Sequence, residues 1–174
     1  MTDLDARIRR ALRPVPDHPK PGILFQDITP LLSDGSLYAS VIAAMAEEAR
    51  ASGATHIAGL EARGFLFGAP VAVALGLGFV PIRKPGKLPW ETVQERYALE
   101  YGEDALEAHR DALGSGHRVM IVDDVLATGG TASAAETLVQ RLGAEMVGHI
   151  FLLELGALNG RARLRGRARA LLTL

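Results

Sequence analysis

Two adjacent carboxylates, Asp123 and Asp124, close the apolar run Val119-Met120-Ile121-Val122, and the run Thr128-Gly129-Gly130-Thr131 follows shortly after. The two halves of this stretch suit opposite ligands. The glycines let the backbone turn tightly and come close to a ligand, and the threonines add hydroxyl donors. A helix starting there presents unsatisfied amides and the positive end of its dipole, so this half suits a phosphate. Two acids beside a phosphate would repel it unless they face something else, such as sugar hydroxyls or Mg²⁺. The whole string therefore describes a ligand with a phosphate and a diol, a phosphorylated ribose. Competing phosphate motifs fail. There is no G-x-x-x-x-G-K-[ST], and Pro81 takes the last glycine position of a G-x-G-x-x-G reading from Gly76. The histidines, His18, His56, His109, His117 and His149, show no metal-ligand spacing, and there is no cysteine.

The elements that must position these residues alternate. Residues 3–12 read as a short helix capped by Thr2 or Asp3. Five prolines fall between Pro14 and Pro30, which predicts a stiff, extended, irregular segment held down by Ile23, Leu24, Phe25 and Ile28. Helical spacing runs over 37–53, with Gly53 as its stop. A strand is expected at 55–60, a buried helix at 63–76 and a strand at 78–84. Residues 84–96, with Pro85, Gly86 and Pro89, read as an exposed loop. A strand is expected over 97–102, while 103–113 fits helix or strand. The clearest strand is 117–124 and the clearest helix 131–144. A strand at 145–155, a short helical stretch near 156–164 and a last strand at 168–174 complete the chain. Strands alternating with helices predict an α/β fold with a mostly parallel sheet covered on both faces.

The chain has 174 residues, enough for one domain with a sizeable core, and its 48% hydrophobic and 22% charged residues fit a globular class. A net charge of -1 supplies no global field toward nucleic acid or an anionic membrane, and neither is expected as a partner. The charged N-terminus lacks a signal-peptide core, and the apolar stretch around 68–82 is too broken by glycine and proline to span a membrane, so a cytoplasmic location is expected. Five arginines fall in the last sixteen residues, interleaved with apolar ones, and read as a solvated face.

The stretch 119–132 resembles the phosphoribosyl-diphosphate (PRPP) motif of type I phosphoribosyltransferases. The segments PDHPKPGILFQDITPLL, GLEARGFLFGAPVA, PIRKPGKLP and YALEYG resemble the adenine-specific branch of that family in order and spacing, over about Pro16 to Leu155. The resemblance implies a single domain over 1–174, with a mainly parallel central sheet flanked by helices. It also implies a small hood, contributed mainly by 14–32, and a lid loop over about 84–96. The implied reaction joins adenine to PRPP, giving AMP and pyrophosphate. Mg²⁺ would be the cofactor, bound mainly through PRPP with no direct protein ligand set, and the protein would be a homodimer.

Residue roles follow from the same resemblance. Ala127, Thr128, Gly129, Gly130 and Thr131 would hold the 5′-phosphate. Asp123 and Asp124 would face the ribose hydroxyls and stabilise positive charge developing on the ribose. Arg63, Arg83, Lys84 and Lys87 match the cation positions for pyrophosphate, and Arg63 follows a turn where the family carries unusual backbone. Glu100 would be the general acid/base at adenine N7, its pKa raised by desolvation under the lid, with Tyr101 assisting. Leu24, Phe25, Gln26 and Val125 would form the adenine slot. The family commonly has Arg where this chain has Gln26, which removes a cation near the base but keeps donor and acceptor capacity. Two alternatives stand beside this reading: the same transfer to another purine base, and a non-catalytic PRPP-sensing regulator.

Overall fold

A computed structural model describes residues 3–98 and 103–174. The N-terminal helix α1 (Asp3–Ala11) has Asp3 and Asp5 in its first turn and Arg9 and Arg10 in its last, the order its dipole favours. The proline-rich segment is more regular than expected. It forms an antiparallel ribbon of β1 (Arg13–Val15) and β2 (Phe25–Asp27), followed by a short helix, α2 (Thr29–Ser33). Pro30 sits in the first turn of α2, where its missing N–H would have had no helical partner, so the residue that suggested irregular chain instead starts a helix. Asp27 ties ribbon to helix: its carboxylate accepts from Arg13 and from the N–H and hydroxyl of Thr29.

Asp34 then caps α3 (Gly35–Ala51), its side chain accepting from the Ser36 and Leu37 amides. β3 (His56–Leu60), α4 (Gly64–Leu75) and β4 (Gly78–Ile82) follow as read from the sequence. Irregular chain after β4 ends at Glu91, earlier than the loop expected over 84–96. Thr92–Arg96 already belong to β5 (Thr92–Ala98), which pairs antiparallel with β6 (Glu103–His109). The pairing settles 103–109 as strand. Val93 and Tyr97 pack toward α5, and Leu106 and Ala108 are buried, so these strands carry the alternation that the turn residues before them masked.

β7 (Arg118–Leu126), α5 (Gly130–Arg141), β8 (Glu145–Glu154), two short 3₁₀ turns and β9 (Ala168–Thr173) complete the chain. The central sheet is wholly parallel, in the order β4-β3-β7-β8-β9. β7 lies in its middle and is buried on both faces. Met120 and Val122 join the core made with α1 to α4, while Val119 and Ile121 join the core made with α5 and the β5–β6 hairpin. The expected α/β fold is the observed one. Among the described residues no helix is long and apolar enough to cross a membrane.

Candidate active site

In an open parallel sheet, the groups that meet a ligand lie beyond the carboxyl ends of the strands. One cavity of about 220 Å³ lies there. Its lining includes Glu61 and Arg63 after β3, Lys84 after β4, Asp123 to Leu126 at the end of β7, and Ala127 to Ala132 where the chain turns into α5. So Arg63, Lys84, Asp123, Asp124, Val125, Ala127, Thr128, Gly129, Gly130 and Thr131, singled out from sequence, converge on one cavity. A larger cavity of about 390 Å³ sits near the opposite strand ends, beside Arg118, Glu145 and Arg167. Its Arg118 is consumed by Glu145 and by the Ser52 and Gly53 carbonyls, and it reads as a surface cleft.

The phosphate-type turn has the expected geometry. Gly129 has φ +80° and caps α5 with no side-chain cap, which leaves the first amides of the helix without a capping side chain in a stretch that lines the cavity. The floor is acidic. Asp124 is buried and Asp123 half-buried. The Asp124 amide donates to Asp123 Oδ1 at 2.9 Å, and Asp124 Oδ2 lies 2.9 Å from Arg63 Nε. Burial pushes the Asp123 carboxyl well above the usual range, and the neighbouring Asp124 charge adds to it. Burial also raises Asp124, although Arg63 opposes the rise. Gly64 lets α4 approach this floor: a Cβ there would lie 2.8 Å from both Asp123 Oδ1 and Val122 O.

The cationic wall is organised by acids that the sequence reading missed. The Glu61 carboxylate pairs with Arg83 Nε at 3.1 Å, accepts the Lys84 amide at 3.0 Å and pairs with Lys87 Nζ. Burial would raise Glu61, but these partners outweigh it and hold the carboxyl below its ordinary value. Arg83 also donates to Lys87 O at 3.1 Å. Lys84 Nζ pairs with Asp104 and donates to Tyr97 Oη at 3.0 Å; burial works against its charge, yet these partners raise its pKa. Tyr97 Oη in turn lies 3.3 Å from Thr131 Oγ1, linking the hairpin to the phosphate-type turn. Arg83 and Lys87 therefore reach the site through Glu61 rather than by lining the cavity. One signal could have found Glu61: like Asp123, it is an acid directly after a buried apolar run.

The proposed base slot is only partly assembled. Phe25 lies under the Arg63 guanidinium at 5.1 Å and against the His18 ring, and Val125 lines the cavity. Leu24 is 56% exposed, and Gln26 pairs with Pro14 in the ribbon; none of Leu24, Phe25 and Gln26 is in the described lining of the cavity. Glu100 and Tyr101 lie outside the described residues. The peptide between Glu61 and Ala62, just before Arg63, is cis.

This geometry can be set beside known proteins. The family described as "Phosphoribosyl transferase domain" matches residues 32–165. An adenine phosphoribosyltransferase of Myxococcus xanthus is 58% identical over 173 residues, covering 99% of this chain and 94% of the relative. The crystal structure of adenine phosphoribosyltransferase from Thermoanaerobacter pseudethanolicus superposes with a TM-score of 0.94 at 49% identity, covering 97% and 99% of the two chains. That from Saccharomyces cerevisiae, complexed with an imino-altritol bisphosphate and adenine, gives 0.93 at 40% identity, covering 98% and 99%.

Proposed function

Since the chain belongs to the phosphoribosyl transferase family, we infer that it transfers the 5-phosphoribosyl group of PRPP to adenine, giving AMP and pyrophosphate in purine salvage. The observation that carries this is one cavity in which a glycine turn heading a helix adjoins two carboxylates ending a strand. The choice of adenine rests on the name of the Myxococcus relative and on the adenine held by the yeast enzyme.

On this reading, Ala127 to Thr131 take the 5′-phosphate on backbone amides and hydroxyls. Asp123 and Asp124 face the ribose hydroxyls, where their charge stabilises the cationic ribose of a dissociative transition state. Arg63, Arg83, Lys84 and Lys87 receive the pyrophosphate end. Each is paired with an acid of the protein, so binding is an exchange of partners rather than a capture by bare cations. Leu24, Phe25, Gln26 and Val125 flank the base. Glu100 moves the proton at N7, and Tyr101 assists.

Asp123 and Asp124 are hard oxygen donors side by side, the kind of set that suits Mg²⁺ when substrate phosphates and water supply the remaining ligands. PRPP would carry the ion in on its phosphates. When bound, it neutralises the leaving pyrophosphate. A single domain with a hood over 14–32 and a lid beginning at Lys84 would close on the substrates. We place the enzyme in the cytoplasm, as a homodimer joined through the outer side of α4, where Leu66 and Val73 are exposed. The test is incubation with PRPP, Mg²⁺ and one purine base at a time. AMP from adenine is expected. Equal turnover of hypoxanthine or guanine would overturn the base assignment, and no nucleotide from any base would overturn the enzyme reading.

A further inference from the structure

The connection from β8 to β9 meets the phosphate-type turn through two glycines packed against each other. A Cβ on Gly129 would overlap Gly160 O and lie 3.0 Å from Gly160 C. Reciprocally, a Cβ on Gly160 would overlap Ala127 O and lie 2.9 Å from Gly129 N. Gly129 is doubly constrained, because its φ is also +80°. Gly160 is not in the left-handed region, so glycine there answers a demand of space alone.

The same connection is fastened at its middle and near its far end. At its middle, Arg161 pairs with Glu154 of β8 and donates to the carbonyl of Ala168 in β9. Near its far end, the Arg165 and Gly166 amides donate to Glu136 of α5 at 3.1 and 2.9 Å. Glu136 is fully buried and also meets His149 Nε2 at 2.7 Å. The helix whose first turn carries the phosphate-type amides is thus tied, through Glu136, to the segment that touches that turn from behind. None of residues 156–167 is in the described lining of the cavity.

We propose that the β8–β9 connection is a buttress that sets the 5′-phosphate loop, with Gly160 as its positioning residue; this rests on the functional reading above. Amides aimed at a phosphate act through their position, and a charge-assisted hydrogen bond lost to misplacement costs roughly 10- to 100-fold in affinity. Backbone carbonyl and amide, not a pliable side chain, face Gly160, so a methyl group there must push the loop and the connection apart.

The test compares binding of ribose 5-phosphate and of pyrophosphate, by calorimetry, in wild type, Gly160→Ala and Gly166→Ala. Gly166 is the control in the same connection. A Cβ there would overlap the flexible tip of Met146, so Gly166→Ala should lower the melting temperature without a selective loss of ribose 5-phosphate affinity. Gly160→Ala should lose ribose 5-phosphate affinity by roughly 10- to 100-fold and keep pyrophosphate affinity. Unchanged ribose 5-phosphate binding would overturn the proposal, as would equal loss of both ligands in both variants. If Gly160→Ala does not fold, Arg161→Gln decides: it frees the buttress without filling the gap, and should give a smaller loss in the same direction. An Arg161→Gln protein with wild-type binding would overturn the proposal. Wild-type protein that binds neither ribose 5-phosphate nor AMP would instead overturn the functional reading.

Discussion

Asp123 and Glu61, two acids at the ends of neighbouring strands, respond to the fold in opposite directions. Burial and the adjacent Asp124 raise the Asp123 carboxyl well above the usual value of 3.8. The folded chain then holds that proton to higher pH than the unfolded chain does. Stability from this group is complete below the ordinary carboxylate range and is lost as pH rises through the raised value. Asn mimics the protonated acid and still offers Oδ1 to the Asp124 amide. Asp123→Asn should therefore melt higher than wild type at neutral pH, and no higher near about pH 4. Its use of PRPP should fall, because a charge-assisted hydrogen bond worth on the order of 1.5–3 kcal/mol is lost. Melting curves across pH and kcat/KM for PRPP check both halves. A lower melting temperature at every pH would refute the charge argument. Glu61 is held low by Lys87, the Lys84 amide and Arg83 against its burial, so its stability is present above the unfolded pKa and is lost as pH falls. Glu61→Gln should cost on the order of 1–3 kcal/mol at neutral pH and raise the KM for PRPP with little change in that for adenine. A KM change for adenine alone would show that Glu61 does not organise the pyrophosphate cations.

Helix α4 shows how an element absorbs a local defect. Pro70 lies inside it and has no N–H for the Leu66 carbonyl one turn earlier. The Tyr38 hydroxyl of α3 donates to that carbonyl instead. Tyr38→Phe keeps the edge-to-face packing on Phe67 but leaves Leu66 O to solvent. It should cost about 1 kcal/mol, or roughly 2–4 °C in Tm, with kcat unchanged. A loss of activity larger than the loss of stability would show that α4 transmits to the site. Elements of this kind were legible where their signal was local. The end of β7, the glycine turn and the start of α5 are contiguous in the chain, so acids, turn and helix could be read as one unit. β3, β4 and α3 were legible for the same reason. Glu61 was not, because its partners lie 22 to 26 residues away and meet it only when β3 and β4 pair side by side. The β5 strand was partly hidden by the proline and glycine before it, and α2 by the proline that starts it. The contact of Gly129 with Gly160 depends on the path between β8 and β9, which no sequence pattern announces.

At the scale of the molecule, α4 is apolar all round, and such a helix is expected to be covered on every side. One side meets the core through Phe67, Gly68, Val71 and Ala72. The other presents Leu66, 42% exposed, then the half-buried Ala69 and Pro70, then Val73, 82% exposed. These four positions form one stripe at helical spacing. The adjoining β4 is the edge strand of the five-stranded sheet, bridged to β6 at Arg83 just beyond its end, so an edge strand runs beside the apolar stripe on this side of the molecule. A second copy of the chain meeting it about a two-fold axis would cover the stripe with its own equivalent, as isologous interfaces do. The arrangement bears on catalysis, since α4 begins directly after Arg63 and packs Gly64 against the Asp123 floor. Fixing the stripe fixes the helix that carries the site. Val73→Lys points outward and should leave the fold intact while placing two like charges in the interface. Sedimentation velocity should give a dimer for wild type and a monomer for Val73→Lys, with a lower kcat/KM for PRPP in the monomer. Wild type sedimenting as a monomer would remove the stripe as a dimer face. A dimeric Val73→Lys protein would move the interface to another surface.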